Sequence, residues 1–215
     1  MDASILQKIT VYAIPLIFAI TLHEAAHAYA ARYFGDSTAY MLGRMTLNPL
    51  KHIDPVWTIL VPILTLMVSP FVFGAAKPVP VNFGALRNPK RDMIWVAAAG
   101  PLANLAMMVA WAVVGKIAIS LDPSEPVYFL AKVAEAGIFV NALLMVFNLF
   151  PLLPLDGGRI LTGLLPGRMA YAFSRTEPYG MLILIGLILT GILGKFMWPL
   201  VDISMKSIYA IIGLS

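Results

Sequence analysis

Long apolar segments dominate this chain, and they restrict what it can fold into. Hydrophobic residues make up 60% of the 215 positions, and charged residues only 12%. A soluble domain of this length could not bury so much apolar surface, so the composition predicts an integral membrane protein. A helix needs about 20 apolar residues to cross a bilayer. The candidate spans are residues 9–33, 93–120, 128–150 and 179–193, with 198–214 as a weaker one.

Two less regular segments lie between the first and second spans. Residues 57–74 are apolar but contain Pro62 and Pro70, and we expect them to enter the membrane and return on the same side. Residues 77–82 are expected to be extended, because a proline disfavours helix in the residue before it. This run consists of Lys77, Pro78, Val79, Pro80, Val81 and Asn82.

The predicted fold class is therefore an all-α integral membrane protein. We expect a polytopic helical bundle of about five to six membrane segments, with a short re-entrant or extended β-like element. Residues 1–215 are predicted to form one membrane-embedded domain. Its motif core lies at about 9–166, and accessory helices follow at about 178–214.

The first span contains an H-E-x-x-H pattern, formed by His23, Glu24 and His27. Residues four apart share one face of a helix, so both imidazoles can bind one Zn²⁺ with Glu24 beside them as general base. Ionisable side chains are costly in lipid and usually functional there. The chain has no cysteine, so any metal must use nitrogen and oxygen ligands.

Asp156 is the candidate third ligand, because catalytic zinc usually has three protein ligands and an open position. It follows Pro151 and Pro154, which end the third span, and it precedes two glycines that permit unusual backbone dihedrals. Broken backbone at membrane depth is tolerated only when it is buried or lines a cavity. An aspartate at such a break can turn inward to a metal. The alternative is that Asp156 caps the helix that follows.

Three motifs occur in order along the chain. They are the H-E-x-x-H pattern, the sequence Gly-Pro-Leu-Ala-Asn ending at Asn104, and the sequence Asn-Leu-Phe-Pro-Leu-Leu-Pro-Leu-Asp-Gly-Gly beginning at Asn148. Together they resemble the site-2 protease family of intramembrane zinc metalloproteases. The resemblance implies that His23, His27 and Asp156 ligate one zinc ion per chain and that Glu24 activates a water molecule.

The resemblance also implies that Asn148 binds the substrate or stabilises the oxyanion, whereas Asn104 is expected to be structural. An amide N–H such as that of Asn148 is a suitable donor to an oxyanion. The extended run 77–82 is a candidate edge for pairing with an unwound substrate. Further candidates for substrate binding or gating are Asn104 and His52. For His52, the only other histidine, a solvated or structural role and an accessory metal site are left open.

The basic residues predict an orientation. If residues 57–74 return to the side they entered, most basic residues fall on the side of the metal site, and the positive-inside rule places that side in the cytoplasm. The N-terminus is then outside. The simplest compartment is a prokaryotic plasma membrane. The residues on the metal side are Arg32, Arg44, Lys51, Lys77, Arg87, Lys90, Arg91, Arg159, Arg168 and Arg175, against Lys8, Lys116, Lys132 and Lys195 opposite.

These patterns predict an intramembrane zinc endopeptidase that hydrolyses peptide bonds within or near transmembrane segments of other membrane proteins. Its expected partners are those substrates and the lipid bilayer, with a regulatory membrane partner or a homo-oligomer left open. The net charge of +4 is explained by residues that flank spans, so no nucleic acid is expected.

Two rival functions are left open. A zinc transporter or metal-binding membrane protein would show two pseudo-symmetric halves, whereas each motif occurs here once. A silent homologue that only binds helices would not need the intact set of His23, Glu24, His27 and Asp156.

Overall fold

The computed structural model describes residues 5–55, 60 and 77–213, and all regular structure in this part of the chain is helical. The α-helices are α1 (Ile5–Tyr33), α2 (Thr38–Met41), α3 (Pro89–Ile119), α4 (Glu125–Asn148), α5 (Asp156–Leu164), α6 (Gly167–Ser174), α7 (Glu177–Leu189) and α8 (Ile192–Ile212). Two 3-10 turns, Pro49–Lys51 and Phe83–Ala85, lie between α2 and α3. The all-α prediction is confirmed for these residues, and the run 77–82 forms no β-strand.

Within the described residues, three helices are long and apolar enough to cross a membrane. They are residues Thr10–Tyr33 of α1 and the whole of α3 and α4. A fourth crossing results only if α6 and α7, which meet at a bend of 64°, form one span. The predicted total of about five to six segments is therefore not confirmed. The predicted re-entrant segment, residues 57–74, lies outside the described residues except for residue 60.

The predicted span 179–193 is divided by a helix break. α7 ends at Leu189, Gly191 adopts the left-handed backbone conformation with φ of +70°, and α8 begins at Ile192. With 13 residues, α7 is about 20 Å long, which is shorter than the hydrocarbon core of about 30 Å. The apolar run did not reveal this break, because the residues on both sides of the glycine are apolar.

α1, α3 and α4 pack against one another, and α5 packs against α3. Small side chains on the inner face of α1 permit this close approach: Ala19, Ala28 and Ala31 are fully buried. Large apolar side chains such as Phe18 and Leu102 are exposed on the outer faces, as expected for surfaces that face lipid. The C-terminal half of α1 thereby lies beside the N-terminal half of α3 and the start of α5.

Candidate metal centre

The structure brings His23, His27 and Asp156 together. The two Nε2 atoms are 3.1 Å apart, and each lies 3.3 Å from Asp156 Oδ2. Both histidines project from one face of α1, and Asp156 is the first residue of α5. Among the described residues, this is the one group of three or more His, Cys, Asp or Glu side chains that could hold a metal ion.

The spacing of these atoms fits zinc. Bonds of about 2.0–2.2 Å place neighbouring ligand atoms of a tetrahedral site about 3.3–3.6 Å apart. The three separations of 3.1, 3.3 and 3.3 Å lie close to this range. Three protein ligands would leave a fourth position for water or substrate, as is usual in catalytic zinc sites.

The hydrogen bonds behind the histidines prepare them as ligands. His27 Nδ1 lies 2.7 Å from the carbonyl oxygen of Val96, which can only accept, so Nδ1 carries the proton. His23 Nδ1 lies 2.6 Å from Asn104 Oδ1. With the proton on Nδ1, each imidazole can present an Nε2 lone pair to a metal ion beside the Asp156 carboxylate. A metal ion between them would satisfy all three.

Asp156 Oδ2 supports the same conclusion. The atom is buried and accepts no hydrogen bond within the described part of the chain. Buried polar atoms are normally paired, and an unpaired one calls for an explanation. The N-cap of α5 is Leu155, so Asp156 does not cap the helix, and the role as a ligand is the better account of this carboxylate.

Glycines permit the close approaches that the site requires. A Cβ on Gly100 of α3 would lie 2.4 Å from His27 Nε2 and 2.6 Å from His23 Nε2. A Cβ on Gly157 would lie 2.1 Å from the carbonyl oxygen of Leu149. The first glycine lets α3 pass directly behind the ligand atoms. The second lets α5 fold back on the loop that follows α4, which places Asp156 at the site.

Glu24 is held by the run 77–82. Its Oε2 accepts a hydrogen bond of 2.7 Å from the Val79 backbone N–H. Pro78 and Pro80 carry no N–H, so Val79 supplies the sole backbone donor of this Pro-Val-Pro sequence. Two further hydrogen bonds hold the ends of the run. The backbone N–H of Lys77 donates to the His52 carbonyl oxygen at 2.9 Å. The backbone N–H of Asn82 donates to Asp36 Oδ2 at 2.7 Å.

Among the remaining predicted residues, Asn104 contacts the ligand His23, and Asn148 and His52 form hydrogen bonds with other partners. Asn148 ends α4, and its Nδ2 donates to the Leu144 carbonyl at 2.9 Å. His52 is 1% exposed, and its Nε2 lies 3.0 Å from the Thr46 carbonyl oxygen. Asn104 is fully buried behind His23. The proposed roles of these residues and of the run 77–82 in substrate binding or gating stay predictions.

Sequence reasoning missed several contributors to the site. Val96 and Val79 act through backbone atoms. These atoms do not depend on the side chain, so the sequence does not identify them. Gly100 belongs to a recognised motif, but its function is to leave room for the two imidazoles, and this depends on how α1 crosses α3. Asn141 Oδ1 lies 2.9 Å from Asn104 Nδ2. The sequence feature that could have pointed to Asn141 is a polar side chain inside an apolar span.

Comparisons with known proteins find a peptidase family and relatives named as zinc metalloproteases. A model of Peptidase family M50 matches residues 115–191. A Bacillus subtilis protein named "Putative zinc metalloprotease YwhC" is 37% identical over 202 residues, which cover 91% of this chain and 87% of that protein.

More distant relatives carry a related name. A Mycolicibacterium smegmatis protein named "Putative zinc metalloprotease Rip2" is 30% identical over 186 residues, covering 86% of this chain and 69% of that protein. The protein of the same name from Mycobacterium tuberculosis is 26% identical over 185 residues, with the same two coverages. No solved structure matches the chain.

Proposed function

This chain belongs to peptidase family M50, the site-2 protease family, and we propose that it is an intramembrane zinc endopeptidase that cleaves transmembrane segments of other membrane proteins. The observation that carries the proposal is the meeting of His23 Nε2, His27 Nε2 and Asp156 Oδ2 within 3.3 Å of one another. The names of the relatives support zinc as the metal. We propose one ion per chain.

The depth of the ligands supports cleavage within the membrane. His23 lies ten residues before the end of α1 at Tyr33, which corresponds to about 15 Å along the helix axis. That distance is about half of the hydrocarbon thickness of about 30 Å. The family and the apolar helices show a membrane protein. Several crossings of a prokaryotic plasma membrane, with the metal nearer the cytoplasm, are part of the proposal and rest on the distribution of basic residues.

The protein side of the proposed chemistry centres on Glu24. When bound, zinc would supply a Lewis acid that polarises a carbonyl group and makes water reactive near neutral pH. Glu24 would accept a proton from that water and deliver it to the leaving amine. The Val79 N–H can hold only one of the two carboxylate oxygens, so the other keeps its lone pairs for the proton. Asn148 is proposed to donate an N–H to the substrate oxygen.

The contact between Val79 and Glu24 gives a testable prediction. Val79→Pro removes the N–H while keeping an apolar side chain. Loss of this hydrogen bond to a charged group should lower the turnover rate about tenfold. Zinc content should stay unchanged, because no ligand is touched. Val79→Ala keeps the N–H and serves as the control. Equal rates for Val79→Pro and the wild type would show that this contact does not orient the base.

The metal assignment is tested on the detergent-purified protein. We expect about one zinc per chain by elemental analysis, and cleavage of a peptide containing a transmembrane helix. A chelator should stop cleavage, and added zinc should restore it. Zinc binding without cleavage of any of several helical substrates would favour a metal-binding or silent protein. No zinc would refute the ligand assignment.

The proposed partners follow from the function. Substrates are membrane proteins whose helices unwind locally, since an intact helix shields its peptide bonds. The exposed Lys77 and Asn82 at the two ends of the run 77–82 are proposed to meet such a substrate. A regulatory membrane protein or a second copy of this chain would add a further level of control.

A further inference from the structure

We infer that Asn141 is a positioning residue for the metal site, because it fixes the orientation of the Asn104 side chain and, through it, the tautomer of His23. This inference rests on the proposed zinc site. Asn104 lies on α3 and Asn141 on α4, and both are fully buried. Two amides without any exposure between apolar helices are costly unless each polar atom is paired.

The contacts form one continuous chain of hydrogen bonds. Asn141 Nδ2 donates to the carbonyl oxygen of Gly137 at 2.8 Å. Asn104 Nδ2 donates to Asn141 Oδ1 at 2.9 Å, and Asn104 Oδ1 lies 2.6 Å from His23 Nδ1. The chain thus runs from the backbone of α4 across α3 to a ligand on α1.

The direction of every bond is set at the Gly137 end. A backbone carbonyl can only accept, so the Asn141 amide nitrogen must face it and Asn141 Oδ1 must face Asn104. Asn104 then has to present Nδ2 to Asn141, which leaves its oxygen for His23. His23 must donate from Nδ1, and its Nε2 keeps the lone pair that a metal requires. Turning over either amide would bring two donors or two acceptors face to face.

Without Asn141, the orientation of Asn104 is poorly determined. Its other acceptor, the Ala19 carbonyl oxygen, is 3.5 Å from Nδ2, at the limit of a hydrogen bond. If Asn104 turns over, its N–H faces His23 Nδ1 and favours the tautomer that carries the proton on Nε2, which cannot ligate. His27 has no such dependence, because its Nδ1 donates directly to the Val96 carbonyl. The two histidines should therefore respond differently to a change at position 141.

The test replaces Asn141 in the full-length protein in detergent. Asn141→Leu removes both amide atoms at similar volume. Asn141→Ser, a gentler change, keeps a hydroxyl for the Gly137 carbonyl but does not reach Asn104. We expect zinc affinity, measured by competition with a chelator, to fall about 10- to 100-fold in both variants, the range found for partners of metal-bound histidines. Val140→Ala is the control, since it truncates a buried neighbour on α4 outside the hydrogen-bonded chain.

A second readout does not depend on metal. The chain has three histidines, so ¹⁵N labelling of histidine gives a spectrum in which each ring can be assigned. In metal-free protein at a pH where the imidazoles are neutral, we expect His23 to carry its proton on Nδ1. In both Asn141 variants His23 should shift toward the Nε2–H tautomer, while His27 stays unchanged.

The outcomes separate the two hypotheses. A wild type that binds no zinc refutes the proposed function. The ¹⁵N spectra then still test whether Asn141 controls the tautomer of His23. A wild type that binds zinc, with unchanged affinity and an unchanged His23 tautomer in the Asn141 variants, refutes the role of Asn141. Equal changes at His23 and His27, or an equal loss of affinity in Val140→Ala, would show general loosening and refute it too.

Discussion

Glu24→Gln is expected to lower the rate of peptide cleavage by about 10²- to 10⁴-fold, the usual contribution of a general acid or base, while zinc binding is retained. Glutamine has nearly the same shape as glutamate and keeps an oxygen that can accept from the Val79 N–H. It lacks a group that takes up a proton near neutral pH. The local structure should therefore persist while the proton transfer is lost.

The measurement pairs zinc content with cleavage of a transmembrane peptide, on wild type and variant purified in the same way. Equal zinc in both proteins, with cleavage only in the wild type, supports the assigned role. A variant that also loses its zinc would show that Glu24 helps to hold the metal. Substantial residual cleavage at equal zinc would exclude Glu24 as the base.

The sequence predicts best those parts of the site that depend on local geometry. His23 and His27 share a helical turn, so the spacing of four residues already places both on one face. Asp156 required a further inference from the prolines and glycines around it, and the structure places it 3.3 Å from both imidazoles. His23 and Asp156 are distant in sequence, and the packing of α3 and α4 against α1 returns the chain to the metal site.

Features that depend on the packing of one helix against another were not predictable. The Val96 carbonyl has no side-chain identity, yet it fixes the tautomer of His27. Asn141 reads as one of several polar residues within a span, and its link to His23 requires knowing which face of α4 meets α3. The break at Gly191 was missed for a related reason, since a glycine inside an apolar run is compatible with either a continuous helix or two.

Gly100→Ala is expected to abolish tight zinc binding, with an affinity loss of at least about 100-fold, the upper end of the effects seen for groups that support metal ligands. An added methyl group would lie 2.4 Å from His27 Nε2 and 2.6 Å from His23 Nε2, well inside contact distance. Either α3 must move away from α1 or both imidazoles must turn. Movement of either kind separates Nε2 from Asp156 and strains the bond from His27 to the Val96 carbonyl.

The prediction for Gly100 is informative because alanine normally favours a helix over glycine, by about 0.5–1 kcal/mol. At Gly186 of α7 an added Cβ meets no atom within 4 Å, so Gly186→Ala should leave zinc affinity and cleavage unchanged and slightly raise thermal stability. Gly100→Ala makes the same chemical change with the opposite result, and cleavage should fall together with bound zinc. Since the clash concerns the ligand atoms themselves, wild-type zinc affinity in Gly100→Ala would mean that the metal does not lie between these histidines.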